Sequence, residues 1–258
     1  MVQALIAVPT LAERLGSLVL ADRTTDSPAT RDALGEAHLN WDYGIAAMSA
    51  AIDHLQTWSD LYLVARRLPR FAEYTLLRST LEAVVTCRWL VDPSKSPRER
   101  VRRGGVLHLS DLADRNKFEQ AVKRPPQRTS GKSASERIAQ YQGLMVDAGF
   151  YDEIEIKNVT PLAVTDRFAL YANTTKGDGA QLYRLLSAFA HNRLYQVAGT
   201  SIIEEQIKAP SGDGWLVKHS ANEALVQSFT VTAVEATIRA LEELIWYGGH
   251  GPKPDAKS

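Results

Sequence analysis

A single cysteine, Cys87, stands among 258 residues. One thiol cannot make an internal disulfide framework or a cluster of thiolate metal ligands. An excess of charge of either sign is also missing, since 30 Lys and Arg balance 30 Asp and Glu. The chain as a whole is therefore not drawn to nucleic acid or to membranes by bulk attraction, although a local basic face is compatible with that balance. Long apolar runs are absent, none reaching the ~18 uninterrupted residues of a membrane span, and the first residues, MVQALIAVPTLAERLG, lack the early basic region of a leader. A cytoplasmic protein with no membrane partner is the expectation. What the chain does have is 45% hydrophobic and 23% charged residues, a globular composition with enough length for a sizeable core.

The apolar residues follow the helical repeat. Leu34, Trp41, Ile45, Met48, Ile52, Leu55 and Tyr62 fall mostly three, four or seven apart and predict a helix over 32–67, ended by Pro69. A second helix is expected over 70–91, stopped by Asp92-Pro93. Ser96-Pro97-Arg98-Glu99 has the pattern of a capping box and opens a third over 96–122 despite Gly104-Gly105. The Pro, Gly and Ser of RPPQRTSGKS mark a loop, and a shorter helix opens at the Ser133 to Glu136 box and ends near Gly149. After a mixed stretch come a long helix over 179–208, a turn with a brief hairpin strand in APSGDGWLVKH, and a last helix over 220–247 opened by Ser220 and Glu223. The expectation is one all-α domain over 1–250, a helical bundle of six to seven helices with a loop-rich insertion, and a disordered tail over 251–258.

Spacing excludes several chemistries. A di-iron bundle needs Glu-x-x-His pairs, and none of the six histidines has Asp or Glu three residues before it. Ser130-Gly131-Lys132-Ser133 resembles the end of a phosphate-binding loop, but Pro126 stands where its first glycine is required. No zinc-protease, serine-hydrolase or dinucleotide fingerprint is present, so neither a metal nor a cofactor is expected.

Two helices carry polar residues in unusual places. After Gly179, Leu182, Leu185, Leu186 and Phe189 share one face, with Arg184, Ser187, His191 and Tyr195 grouped opposite. That row reads either as a solvated face or, being poor in charge, as a cleft or interface. On the helix after Pro69, Phe71, Tyr74, Leu81, Val85 and Trp89 form the apolar stripe, and Arg78 and Glu82 project into it. A buried charge persists only when paired, since stranding one costs about 3–5 kcal/mol. The two are therefore expected to be buried and paired with each other, or bonded to the late helix. The pair either fixes packing or orients a site residue such as His191. Between Arg98 and Arg137, eleven basic residues face five acidic ones, and Arg98, Arg102 and Arg103 are the candidates there for holding phosphate.

The segment Tyr183-Arg184-Leu185-Leu186-Ser187-Ala188-Phe189-Ala190-His191 resembles the Arg-x4–6-His signature of the HEPN superfamily, all-α domains found in bacterial toxins, abortive-infection proteins and CRISPR nucleases. Leu77-Arg78-Ser79-Thr80-Leu81-Glu82 together with a late Leu-Ser-x3-His helix also resembles a group of bacterial helical proteins related to that superfamily, over residues 32 to 247. The resemblance implies metal-independent endoribonuclease chemistry of a toxin or phage-defence type. In it His191 is general acid or base, Arg184 neutralises the phosphorane, and Ser187, Tyr195, Arg78 and Glu82 support them. It also implies RNA as substrate, a homodimer that completes the site, and an antitoxin or other protein partner. Leu185 stands where catalytic members often carry a polar residue, and many relatives are non-catalytic binding or dimerisation modules, which is the alternative.

Overall fold

The computed structural model describes residues 1–69, 72–122, 132–172, 178–191, 202–208, 215–220 and 222–255. Its helices are α1 (Val2–Ile6), α2 (Val8–Ala21), α3 (Pro28–Arg31), α4 (Leu39–Ser59), α5 (Ala72–Val91), α6 (Pro97–Ala121), α7 (Ala134–Asp147), α8 (Val164–Tyr171), α9 (Gly179–Ala190) and α10 (Glu223–Tyr247). A two-stranded antiparallel hairpin, β1 (Ile202–Lys208) and β2 (Trp215–Ser220), is the sheet among the described residues. The protein is all-α, as its apolar periodicity predicts.

The chain divides into two compact units, the first of residues 1–20, 46–87 and 164–241, the second of 21–45, 88–163 and 242–258. In the first, Leu5, Val8, Leu11, Leu15 and Leu18 bury one face of α1 and α2. Residues 2–21 are long and apolar enough to cross a membrane by length and composition; one face of them is buried, and Ile6, Val19 and Leu20 on the rest are exposed. Tyr74 of α5 stacks on Phe189 of α9 with ring centroids 3.9 Å apart and meets Phe229 of α10 edge-on. Trp58 donates its indole N–H to Thr230 at 3.0 Å, so its buried polar handle is satisfied. A Cβ on Gly179 would lie 2.0 Å from the Phe168 carbonyl oxygen, so only glycine lets α9 begin this close to α8.

The second unit is held by buried charge as much as by its apolar cluster of Leu34, Leu39, Val101, Leu109, Met145 and Ile156. Asp32, with a fully buried side chain, accepts from Arg100 Nε at 2.5 Å and from the Tyr247 hydroxyl at 3.0 Å. Asn40 donates to the carbonyls of Leu90 and Arg100 at 2.7 and 2.8 Å. Gly104 and Gly105 lie inside α6 because a Cβ would come within 2.0 Å of Asn40 Oδ1 or 2.5 Å of Met145 Sδ. Arg88 clasps Glu243, its closest contact being 2.7 Å.

Several boundaries differ from those the sequence predicts. The helix expected over 32–67 begins at Leu39, because Asp32 is committed to Arg100 and a turn at Gly35 (φ 61°) bridges Leu34 to Ala37. It ends in a π-helical turn over Asp60–Val64. Of the helix expected over 179–208, α9 runs to Ala190 with His191 as its cap, 192–201 lie outside the described residues, and 202–208 is a strand. Ile202, Ile203 and Ile207 favour extended backbone, and the partner strand pairs Lys208 with Trp215 across the turn sequence. Ser220 ends that strand rather than capping a helix; Asn222 caps α10 instead, accepting from Leu225 N at 3.2 Å. The Ser133 to Glu136 box is complete, whereas at α6 the Ser96 hydroxyl caps Glu99 N and the Glu99 carboxylate turns to Arg103 and Arg102. Of the expected tail, 251–255 is described, with Lys253 over the Trp246 ring, and 256–258 lies outside the described residues.

Candidate functional site

The site is assembled in the first unit by α5 and α9. Asp178 caps α9, accepting from Ala180 N at 2.9 Å, and the N–H of His191 closes the helix on the Ser187 carbonyl at 3.0 Å. His191 thus stands at the helix end with its ring exposed. Leu186 and Phe189 bury the opposite face. Arg184 is exposed, Ser187 is half-buried, and Tyr195 lies outside the described residues.

Arg78 of α5 reaches this helix. Its Nε donates to Glu82 at 2.8 Å, its Nη1 lies 3.3 Å from His191 Nε2, and its Nη2 lies 3.5 Å from the Tyr183 hydroxyl. The guanidinium carbon sits 5.4 Å from the Tyr183 ring centroid. Since arginine only donates, Nε2 of His191 is the acceptor in this contact. Arg78 and Glu82 are paired as the spacing predicts, and Arg78 is bonded to the late helix. They are half-buried rather than sealed, with side chains 19% and 33% exposed. The two segments that carry the resemblance, Leu77 to Glu82 and Tyr183 to His191, therefore meet in space.

The arginine against His191 is Arg78, and Arg184 makes no ion pair or hydrogen bond among the described residues. Helical geometry accounts for the difference, because residues seven apart are two turns, roughly 10 Å, from each other along the axis. Two contributors escape sequence reading. Tyr183 fixes the far side of the Arg78 fork, leaning on Phe168 at 4.9 Å between centroids. Buried Arg167 of α8 donates to Thr86 Oγ1 at 2.6 Å; burial pushes its guanidinium below the ordinary range, and Glu82 opposes that shift. An arginine or a tyrosine on an amphipathic helix gives no signal of its partner until the neighbouring helix is in place.

Arg98, Arg102 and Arg103 belong to the second unit, Arg184 and His191 to the first. Arg98 lies over the Phe150 ring at 4.6 Å and donates to the Gly149 carbonyl. Arg103 is buried, donating to the Trp89 carbonyl at 2.7 Å and to Glu99 at 3.2 Å. Arg102, 48% exposed, donates to the Tyr151 hydroxyl at 2.6 Å and shares with Arg103 the wall of a hollow of about 330 Å³. These three guanidinium groups are thus spent largely on carbonyls, aromatic rings and Glu99. In the same unit Tyr43 links His108 Nδ1, at 2.8 Å, to Asp111 at 3.2 Å. Among the described residues no three His, Cys, Asp or Glu side chains come together as a metal-binding group.

One buried acid stands out in the first unit. Glu73, in the first turn of α5, is 0% exposed and neither carboxylate oxygen has a hydrogen-bond partner among the described residues. Burial raises its carboxyl from 4.5 to about 7. A raised folded-state value means that the folded protein holds this proton more tightly. The stabilising effect is full below about pH 4.5 and is lost as pH rises through about 7, amounting to about 3 kcal/mol. Urea unfolding at about pH 5 and pH 8 should show that loss in the wild type, and Glu73→Gln should abolish it. A pH dependence identical in the two proteins would show that Glu73 is not its source.

Comparisons with protein-family models, with curated proteins and with solved structures find no match to this chain.

Proposed function

We propose that the protein is a HEPN-like, metal-independent endoribonuclease of the toxin or phage-defence type, acting in the cytoplasm as a homodimer. The observation that carries this reading is the Arg78 to His191 contact, which holds an exposed imidazole beside a guanidinium without closing it from solvent. Guanidinium and imidazole are the pair that phosphodiester transfer needs, one to neutralise phosphoryl oxygens and one to move a proton.

The bond to His191 is long, so an arriving phosphate displaces it at little cost. Arg78 then turns to the phosphoryl oxygens, together with Arg184, and frees Nε2. The imidazole takes the proton of the ribose 2′-hydroxyl, the 2′-oxygen bonds to phosphorus, and the bond from phosphorus to the 5′-oxygen breaks. The leaving oxygen takes its proton from the protonated imidazole of the other protomer. The products are a cyclic phosphate and a 5′-hydroxyl. Glu82 keeps Arg78 aimed, and an antitoxin that covers this face would silence it.

A non-catalytic binding or dimerisation module is the second reading, and a specific observation favours it: Nε2 of His191 is already engaged by Arg78 rather than free beside Arg184. Incubation of purified protein with a panel of structured and single-stranded RNAs separates the two. The nuclease yields fragments ending in cyclic phosphate at a rate unchanged by a chelator. Cleavage lost on chelation and restored by a divalent ion would remove the mechanism. A folded dimer inert on the whole panel would leave the module.

A further inference from the structure

A second set of arginines lies elsewhere in the first unit, at the end of α4. The π-helical turn over Asp60–Val64 closes with Ala65 N on the Asp60 carbonyl at 2.9 Å and Arg67 N on the Leu61 carbonyl at 3.0 Å. Between them Arg66 is held at φ 52°, the left-handed position that glycine usually takes at a helix end. Arg66 and Arg67 are both exposed, and neither side chain has an ion pair or hydrogen bond among the described residues. Arg98, Arg102 and Arg103 of the second unit are satisfied by carbonyls, Tyr151 and Glu99; these two guanidinium groups have no such partner among the described residues.

They line a hollow of about 450 Å³, within the range of small-molecule sites, about 300–1,000 Å³. Val2, Leu63 and Leu68 make its apolar walls, and Tyr62 presents a phenol whose hydroxyl donates to Glu223 at 3.3 Å. Burial and Glu223 push the Tyr62 phenol up, and Arg66 opposes that rise. Two unpaired arginines select a phosphate or carboxylate. The single carboxylate of Glu223 selects against a chain of phosphates and accepts from N–H or O–H donors on the ligand's body. Aliphatic walls and a phenol ring suit a flat, partly apolar body. These requirements describe a nucleotide with one phosphate.

We propose that this hollow binds a nucleoside monophosphate, the phosphate between Arg66 and Arg67 and the nucleoside against Tyr62 and Glu223. The site is independent of RNA cleavage: a protein that cleaves nothing binds the nucleotide all the same.

Calorimetric titration at low salt with adenosine 5′-monophosphate, adenosine and inorganic phosphate tests this. The monophosphate should bind one per chain, at least tenfold tighter than adenosine or phosphate. Arg66→Gly and Arg67→Ala should each weaken it at least tenfold. Glycine suits the left-handed position, so Arg66→Gly should melt no lower than wild type, which separates lost binding from lost folding. His191→Ala should bind as wild type does. Equal binding of phosphate and nucleotide, or full binding by both arginine variants, would overturn the proposal. So would co-sedimentation with vesicles of phosphatidylglycerol and phosphatidylcholine, lost in both variants, in a protein that binds no nucleotide, because the phosphate would then be a lipid headgroup's.

Discussion

His191→Ala should lower RNA cleavage by two to four orders of magnitude while leaving the melting temperature unchanged within error, the range ascribed to a lost general acid or base. The ring is exposed, the residue caps the helix through its backbone rather than its side chain, and among the described residues the ring makes one hydrogen bond, at 3.3 Å with Arg78. Nothing in the core is vacated when it goes. Arg78→Ala should cost a comparable factor, and Arg78→Lys should recover only part, because a point charge cannot keep the fork that reaches Glu82, Tyr183 and His191 together. Arg184→Ala separates two descriptions of the site. If Arg184 binds the phosphate, its loss should cost roughly 10²–10³ in rate. If Arg78 alone does so, Arg184→Ala should be nearly silent. Loss of stability in place of activity for both His191→Ala and Arg78→Ala would make the cluster structural. Glu82→Ala should be milder in stability than a sealed pair, about 1 kcal/mol, since both side chains retain contact with water.

The largest effect on stability should come from Asp32→Ala, about 3–5 kcal/mol by denaturant unfolding. The side chain of Asp32 is 0% exposed and that of Arg100 5%. Truncating the acid leaves a buried guanidinium with the Lys95 carbonyl, at 2.6 Å, but without its counter-charge, and takes the acceptor from the Tyr247 hydroxyl. Tyr247→Phe removes only one neutral partner of a carboxylate that keeps Arg100, and should cost about 1–2 kcal/mol. Replacing Asp32 and Arg100 together by Leu and Met should recover much of the loss, since the energy lies in the stranded charge rather than in the pair. An Asp32→Ala protein with the wild-type midpoint would show that water reaches Arg100.

Regular elements were legible because burial writes a period into the sequence. Met48, Ile52 and Leu55 on α4, and Tyr74, Leu81, Val85 and Trp89 on α5, are all buried, as their spacing predicts. Ser96 and Ser133 announce helix starts because a cap is a local bond between near neighbours. The misplaced boundaries fall where no local signal decides. Residues 202–208 have a composition acceptable to either helix or strand, and β1 exists because β2 supplies its hydrogen-bond partners. Asp32 reads as the start of a helix until Arg100, 68 residues later, takes its carboxylate.

For the site, the sequence by itself determined that Arg78, Glu82, Arg184 and His191 sit on amphipathic helices, and that Arg78 and Glu82, four apart on one helix, can pair. It also determined the all-α class, since periodicity is a property of one segment at a time. Only the tertiary structure decided that the guanidinium beside His191 belongs to Arg78, 113 residues away, and that Tyr183 completes its surroundings. Only there does the basic stretch of 98–103 prove committed to carbonyls and rings, and Arg66 and Arg67 prove unpaired. The reason is physical. A side chain's period is set by its own backbone, whereas its partner is set by which helix packs beside it, through contacts whose sequence separation no local pattern records.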